Sequence, residues 1–316
     1  QVSSRLRMIG RMYQVRRASR SRFLPIRRLN YHLREWGESR PGEPPLVMVH
    51  GWMDVSASFQ FMVDALARER HVIAPDWRGF GLTQTPGADH YVIADYLGDL
   101  DALLDALCGD APVDLLGHSM GGNVVMLYAG VRPARIRKLI NLEGFGMPAT
   151  EPRQAGARYA RWMDELKALA RGELALNTYA TWDGVAQRLA KTNPRLAPGH
   201  AAWLARHWAR PVRQADGGER YEILGDAAHK IINANLYQLP ETLALYADIT
   251  APLLAVEASD DSLSRWWKGA YTLAEYHERL KNVARHRVAV IQDAGHMLHH
   301  DQPEALARLV EAFLDE

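Results

Sequence analysis

A single serine lies among glycines in residues 113–127, VDLLGHSMGGNVVML. An apolar, strand-like run precedes Ser119, and an apolar, helix-like run follows it. A serine at the apex of a tight strand-to-helix turn projects its Oγ beyond the end of the strand, provided that the residues two before and two after it are small, as Gly117 and Gly121 are. The adjacent helix N-terminus favours a developing anion. The pattern therefore predicts Ser119 as a nucleophile in acyl transfer.

A serine hydroxyl needs a base near neutral pH, and His296 is the best candidate. It follows the last apolar run, residues 287–293, after Gly295, which permits a tight turn over the sheet edge. His299 and His300 are rivals, but we expect them to lie on the approach to the final helix and to face elsewhere.

The base also needs a carboxylate that holds its tautomer and stabilises its charged form. Asp260 and Asp261 follow the apolar run 252–259, and Glu143 ends the apolar run 138–144. Both runs read as parallel strands, so all three carboxylates are expected at the same edge of the sheet. The residues alone leave open which one pairs with His296.

Backbone N–H groups must stabilise the oxyanion, and two are placed to do so. Met120 begins the helix after Ser119, and Trp52 follows the turn His50-Gly51 at the end of an early strand. We expect the N–H groups of Trp52 and Met120 to form the oxyanion hole. Gly51, Trp52 and His118 are expected to contact the substrate.

Apolar runs that read as buried strands alternate with helical patterns along most of the chain. This alternation predicts an α/β fold, in which a mostly parallel central sheet carries helices on both faces. Residues 146–245 interrupt the alternation and look helical throughout. The predicted organisation is an N-terminal extension (1–23), a core (24–145 and 246–316) and a helical cap (146–245).

Ten arginines precede the first acid, Glu35, and the N-terminal residues are expected to form a basic, solvated extension. Over the whole chain of 316 residues the net charge is only +1, which gives no reason to expect a nucleic-acid partner. No apolar run is long enough for stable membrane insertion. Cys108 is the only cysteine, which excludes a disulfide framework and favours the cytoplasm. The excess of Arg over Lys and the abundant Ala favour a bacterial source.

Four segments resemble the α/β-hydrolase superfamily: HGW (50–52), APDWRGFG (74–81), GHSMGG (117–122) and AGH (294–296). The resemblance covers residues 24–316 and is closest to capped serine hydrolases, such as carboxylesterases and serine hydrolase-like proteins. It implies the α/β-hydrolase fold with a cap, the catalytic order Ser, acid, His, and Asp261 as the acid. It implies neither a metal nor an organic cofactor, and HMLHH (296–300) is interpreted as one base with flanking polar residues. Serine at position 119 excludes relatives that use an aspartate nucleophile.

The function expected from these features is hydrolysis of a small or medium, largely apolar ester, with a small molecule as the binding partner. Cleavage of a C–C bond or opening of a lactone can use the same residues and stays an alternative. A non-catalytic ligand-binding protein on a hydrolase fold is the alternative from another class.

Overall fold

An eight-stranded sheet forms the centre of the computed structural model, which describes residues 11–316. Its strands are β1 (Arg20–Ile26), β2 (Leu29–Trp36), β3 (Leu46–Val49), β4 (Val72–Pro75), β5 (Val113–His118), β6 (Ile136–Leu142), β10 (Leu253–Ala258) and β11 (His286–Ile291). The spatial order is β1-β2-β4-β3-β5-β6-β10-β11. The pairs β1–β2 and β2–β4 are antiparallel, and the other pairs are parallel. The predicted mostly parallel sheet is confirmed.

Helices cover both faces of the sheet, so the core has two apolar layers. They are α1 (Gln60–Ala65), α2 (Ile93–Cys108), α3 (Met120–Val131), α8 (Ser262–Trp267), α9 (Leu273–Leu280), α10 (Leu298–Asp301) and α11 (Pro303–Leu314). One layer includes Leu104 of α2 and Val124 of α3. The other includes Met62 of α1 and Val310 of α11. The inner parallel strands β3, β4, β5, β6 and β10 are buried on both sides, which explains their mostly apolar sequences, whereas the edge strand β11 is largely exposed.

The insertion between β6 and β10 contains strands as well as helices. Its elements are α4 (Ala155–Ala170), β7 (Thr178–Tyr179), α5 (Trp182–Thr192), α6 (Pro198–Trp208), β8 (Ala209–Arg213), β9 (Glu219–Ile223) and α7 (Leu239–Ala247). Strands β7, β9 and β8 form an antiparallel sheet. The expectation of an entirely helical insertion is wrong, because residues 209–223 form a hairpin whose turn contains Asp216-Gly217-Gly218.

The N-terminal segment packs on the fold from residue 11 onward. The Tyr13 hydroxyl donates to Asp64 at 2.6 Å, and the backbone N–H of Arg17 donates to the same carboxylate at 2.7 Å. Tyr13 N–H also donates to the Gly199 carbonyl of α6. The expected extension over residues 1–23 is therefore wrong in its boundary, because Tyr13, Arg16 and Arg17 bind Asp64 and β1 begins at Arg20, although most side chains of residues 11–23 are exposed as expected. Residues 1–10 lie outside the described chain.

Helix α7 belongs with the core rather than with the rest of the insertion. It packs against α3 so closely that a Cβ at Gly130 would lie 2.2 Å from the Leu245 carbonyl oxygen. Within residues 11–316, no helix combines the length and the apolar character that crossing a bilayer requires.

Candidate active site

Ser119 occupies the turn between β5 and α3 in a backbone conformation that non-glycine residues rarely adopt, with φ 55° and ψ −117°. The neighbouring glycines permit this turn. A Cβ at Gly117 would lie 2.3 Å from the Gly121 carbonyl oxygen, and one at Gly121 would lie 2.4 Å from that of Val49. The strand therefore ends directly against the helix start, and Ser119 remains partly exposed at the apex.

His296 hydrogen-bonds to Ser119 although 177 residues separate them in the chain. Its Nε2 lies 2.9 Å from Ser119 Oγ, and its Nδ1 lies 3.0 Å from Glu143 Oε2. An ionised carboxylate can only accept, so His296 Nδ1 carries the proton and donates to Glu143. Nε2 is then free to accept from the Ser119 hydroxyl. This tautomer is the one that a general base for Ser119 needs.

Glu143 follows β6, with φ 58°, and its carboxylate is almost fully buried. Oε1 accepts from the backbone N–H of Ala258 at 2.7 Å. Oε2 accepts from the Ser262 hydroxyl at 2.6 Å as well as from His296. Three donors therefore fix the orientation of this carboxylate toward the imidazole.

The structure places the other two candidate acids elsewhere. Asp261 caps the N-terminus of α8, where its Oδ1 accepts from Ser264 N–H at 2.9 Å, and it is exposed. Asp260 forms a bidentate ion pair with Arg195 of the insertion, at 2.6 and 3.1 Å. Neither hydrogen-bonds to His296. The expectation that Asp261 pairs with His296 is contradicted by this geometry, because the turn into α8 uses the aspartate as a cap and presents Ser262 to Glu143.

Two residues that the sequence analysis did not single out complete the surroundings of His296. One is Ser262, which holds Glu143. The other is Trp266, whose ring lies 4.5 Å from the His296 ring in an edge-to-face arrangement and is 45% exposed. Both lie on α8, which follows β10 and the turn that contains Asp260 and Asp261. A serine and a tryptophan early in that helix were the available signal in the sequence.

The loop after β3 contacts the nucleophile turn from the other side. A Cβ at Gly51 would lie 3.0 Å from Ser119 Cβ. His50 is fully buried and structural, since its Nδ1 donates to the Gly51 carbonyl and its Nε2 accepts from Trp77 N–H. Trp52 is 53% exposed, and its indole N–H donates to the His229 carbonyl at 3.1 Å.

Both expected oxyanion donors remain available near Ser119. Met120 is the first residue of α3, so its N–H has no intrahelical acceptor. Within residues 11–316, no backbone carbonyl accepts from the N–H of Trp52. Met120 follows Ser119 directly, and Trp52 follows Gly51. Both N–H groups therefore remain candidates for the oxyanion hole.

His118 does not take the substrate contact expected of it. Its ring is 2% exposed, and its Nε2 donates to the backbone carbonyl of His296 at 2.7 Å. Burial lowers the pKa of His118 well below its usual value. The ring therefore supports the loop that carries His296. His299 lies behind it, with ring centroids 4.4 Å apart, and does not hydrogen-bond to Ser119.

The insertion is attached to the loop that carries His296. Asn193 donates to Asp301 Oδ1 at 2.8 Å, while Asp301 Oδ2 accepts from Gly295 N–H at 2.8 Å. The Arg195–Asp260 ion pair lies beside this loop, since a Cβ at Gly295 would lie 3.3 Å from both side chains. The position of the insertion and the position of His296 are thus linked through a few polar side chains.

The sequence profile of one family, described as alpha/beta hydrolase fold, matches residues 44–303 of this chain. This chain belongs to that family. The expected fold and family are confirmed. The match includes the turn around Ser119, Glu143 and His296, and it covers most of the core together with the insertion.

Individual relatives that match most of this chain share only about a quarter of its residues. A serine hydrolase-like protein of Danio rerio is 25% identical over 284 residues, which is 88% of this chain and 83% of that protein. A cis-3-alkyl-4-alkyloxetan-2-one decarboxylase of Shewanella oneidensis is 26% identical over 86% of this chain and 82% of its own length. A solved thioesterase domain from the curacin biosynthetic pathway shares the fold, with a TM-score of 0.77, 24% identity, and coverage of 93% of this chain and 99% of that one. The family and the serine hydrolase-like relative support a hydrolase.

Proposed function

We propose that this protein is a serine esterase that hydrolyses a small or medium carboxylic ester with an apolar acyl or alcohol part. The observation that carries the proposal is the continuous hydrogen-bonded arrangement of Ser119 Oγ, His296 and Glu143, with distances of 2.9 and 3.0 Å. These are the distances over which a proton passes between a nucleophile and its base.

In the first half of the reaction, Ser119 Oγ attacks the ester carbonyl carbon while its proton moves to His296 Nε2. Glu143 stabilises the resulting imidazolium through the Nδ1 hydrogen bond. The carbonyl oxygen becomes an oxyanion, which the N–H groups of Met120 and Trp52 stabilise. Collapse of this intermediate breaks the C–O bond to the alcohol, which leaves with the proton from His296.

In the second half, water attacks the acyl group on Ser119 and gives a proton to His296 Nε2. A second oxyanion forms in the same place and collapses to the carboxylic acid. Ser119 recovers its proton from His296, so the three residues return to their starting state. The only other reactants are the ester and water, and no cofactor is required.

Exposed aromatic side chains beside the triad favour an apolar substrate. Trp266 contacts the His296 ring and is 45% exposed, and Trp52 follows Gly51 and is 53% exposed. Aromatic surface of this kind binds apolar groups once water is excluded. We propose that these two side chains contact the acyl or alcohol part of the substrate.

A lactone is a second candidate substrate, because one relative is named for an oxetan-2-one, which is a cyclic ester. The same residues would open such a ring by attack of Ser119 on the ring carbonyl. The leaving alkoxide would then stay attached to the acyl group. Acyclic and cyclic esters therefore belong in the same assay.

Turnover of p-nitrophenyl esters of increasing acyl length, and of lactones of increasing ring size, tests the proposal. We expect the wild-type protein to hydrolyse at least one series and Ser119→Ala to lose that activity by about 10³-fold or more. Ser264→Ala, which alters an exposed serine of α8, is the control and should keep it. Undiminished turnover by Ser119→Ala would overturn the proposal, and absence of wild-type turnover in both series would favour a ligand-binding protein.

A further inference from the structure

Three buried side chains meet behind the nucleophile turn. They are Asp54, His118 and His299. Each offers one potential ligand atom, a carboxylate oxygen or a ring nitrogen, and the three atoms all lie within 4.8 Å of one another. The residues are 9%, 2% and 0% exposed, respectively. They come from the loop after β3, the end of β5 and the segment after His296. These are the three parts of the chain that carry the candidate catalytic groups.

Polar atoms of this cluster have no hydrogen-bond partner in the structure: Asp54 Oδ2, His118 Nδ1 and both ring nitrogens of His299. His118 Nε2 donates to the His296 carbonyl, so in the neutral ring its Nδ1 is an open acceptor. Asp54 Oδ1 accepts from Val55 N–H at 2.9 Å and from the Ser58 hydroxyl, which leaves Oδ2 as a second open acceptor. Both ring nitrogens of His299 lack a partner, and in a neutral ring one of them is a further acceptor. The cluster thus has more acceptors than donors.

The charge of Asp54 is also uncompensated. Within residues 11–316, no arginine or lysine hydrogen-bonds to it, and its contacts are a backbone N–H and a serine hydroxyl. A buried carboxylate without a cation is costly. Since most buried polar groups in proteins are paired, we expect a positively charged ligand to occupy this cluster.

We propose that Asp54, His118 and His299 bind one divalent transition metal ion of the zinc type. Two imidazole nitrogens and one carboxylate oxygen are a common ligand set for Zn²⁺, with a water as the fourth ligand. Two nitrogen ligands select such an ion over Mg²⁺ or Ca²⁺, which prefer oxygen.

The three ligand atoms are close enough to bind one zinc ion if the distances between them shorten slightly. An ion equidistant from three atoms that are 4.8 Å apart lies about 2.8 Å from each, whereas bonds to zinc are about 2.0–2.2 Å. Each ligand atom therefore moves inward by about 0.8 Å or less on binding. A water molecule would fit the wider spacing, but it would leave the Asp54 charge uncompensated.

An ion here would connect the three catalytic segments without touching the substrate. Ser119 follows His118 directly, Gly51 lies within contact distance of the His118 ring, and His118 holds the His296 carbonyl. Because binding occurs only in the folded state, it stabilises the fold. We expect the ion to raise the melting temperature by a few degrees.

Metal binding to the chelator-treated, full-length protein tests the proposal. Calorimetric titration with Zn²⁺ and Co²⁺ should give one ion per chain, and bound Co²⁺ should give the visible absorption of a four-coordinate ion. Asp54→Asn and His299→Gln should weaken binding by about 100-fold or more and abolish the rise in melting temperature. His90→Gln, which removes a histidine outside the cluster, should bind as the wild type does, and Mg²⁺ should have no effect.

Two results would overturn the proposal. One is the absence of stoichiometric binding to the wild-type protein, in which case the cluster holds water only. The other is wild-type affinity in folded Asp54→Asn or His299→Gln, with folding checked by circular dichroism. X-ray absorption of the zinc-loaded wild type is independent of any variant. It should report two imidazoles and a carboxylate oxygen, and a different ligand set would also overturn the proposal.

Discussion

At the scale of single residues, Glu143 is distinguished from the other acids by the donors that surround its carboxylate. Ala258 N–H, the Ser262 hydroxyl and His296 Nδ1 all point to it. Asp261 instead stabilises a helix N-terminus, a use for which aspartate is well suited. The order Ser119, Glu143, His296 along the chain still follows the order that α/β-hydrolases use.

Replacing each acid separately should separate the two roles. We expect Glu143→Gln to lower kcat by about 10³- to 10⁴-fold, because a neutral amide neither fixes the His296 tautomer nor stabilises its charged form. Asp261→Asn keeps a good N-cap and should leave kcat within about threefold of wild type. Steady-state kinetics on the best ester measure both. The reverse ranking would assign the acid to Asp261.

The sequence analysis singled out Ser119 and His296, which the structure brings into hydrogen-bonding contact, but it left open which carboxylate contacts His296, for a physical reason. Ser119 and His296 are marked by local requirements, namely small neighbours around a tight turn and a glycine before the histidine. The three carboxylates all follow parallel strands, so position in the chain does not rank them. The choice depends on how α8 begins, because capping by Asp261 turns its side chain away and brings Ser262 to Glu143. That is a tertiary feature.

At the scale of secondary structure, the turn at Ser119 depends on close backbone contacts between β5, α3 and β3. A methyl group added at Gly117 would lie 2.3 Å from a carbonyl oxygen, and one added at Gly121 would lie 2.4 Å from another. The obstructing atoms are backbone atoms, which cannot rotate away. Any side chain at these positions must therefore move the helix relative to the sheet.

Substitution of glycine by alanine at two sites tests this packing. Gly117→Ala should destabilise the fold by about 3 kcal/mol or more and abolish ester turnover. Gly156→Ala lies in α4, where nothing approaches within 4 Å, and should stabilise the protein by up to about 1 kcal/mol. Urea unfolding gives both values. Wild-type stability of Gly117→Ala would show that the turn is looser than the contacts indicate.

The core elements agree with their sequence patterns, whereas those of the insertion agree less well. Strands β3, β4, β5 and β10 are short apolar runs buried on both faces, so the pattern and length of these runs were sufficient to predict them as strands. Strands β8 and β9 are polar and partly exposed, so the helical patterns on either side dominated the prediction. The Asp216-Gly217 pair was the signal for their hairpin.

At the scale of the whole molecule, histidines are buried where the insertion meets the core. His229 follows β9, and its ring stacks between those of Phe80 and Tyr91, with both centroids at 3.8 Å. His207 of α6 packs on Trp203 and lies near Arg34. Burial lowers the pKa of each to about 4, and the charge of Arg34 contributes at His207. Both histidines are therefore neutral in the folded protein near pH 7.

This makes stability depend on pH in a defined direction. Unfolded histidine titrates near pH 6.5, so between about pH 6.5 and 4 the unfolded chain binds protons that the folded chain does not. Acidification then favours unfolding, and His229 alone should cost about 2 kcal/mol between pH 7 and 5. Denaturant unfolding at several pH values should show a smaller loss in His229→Gln than in wild type. His90→Gln should retain the wild-type loss, and equal losses in all three proteins would contradict the assignment.

The most direct test of Ser119 as an activated nucleophile is covalent labelling by a fluorophosphonate, followed by mass spectrometry. We expect one adduct per chain, located on the peptide that contains Ser119. Ser119→Ala should not be labelled, and His296→Ala should be labelled much more slowly, because the hydroxyl then lacks its base. An unlabelled wild-type protein, or an adduct at a different residue, would contradict the catalytic role that the contact between Ser119 and His296 supports.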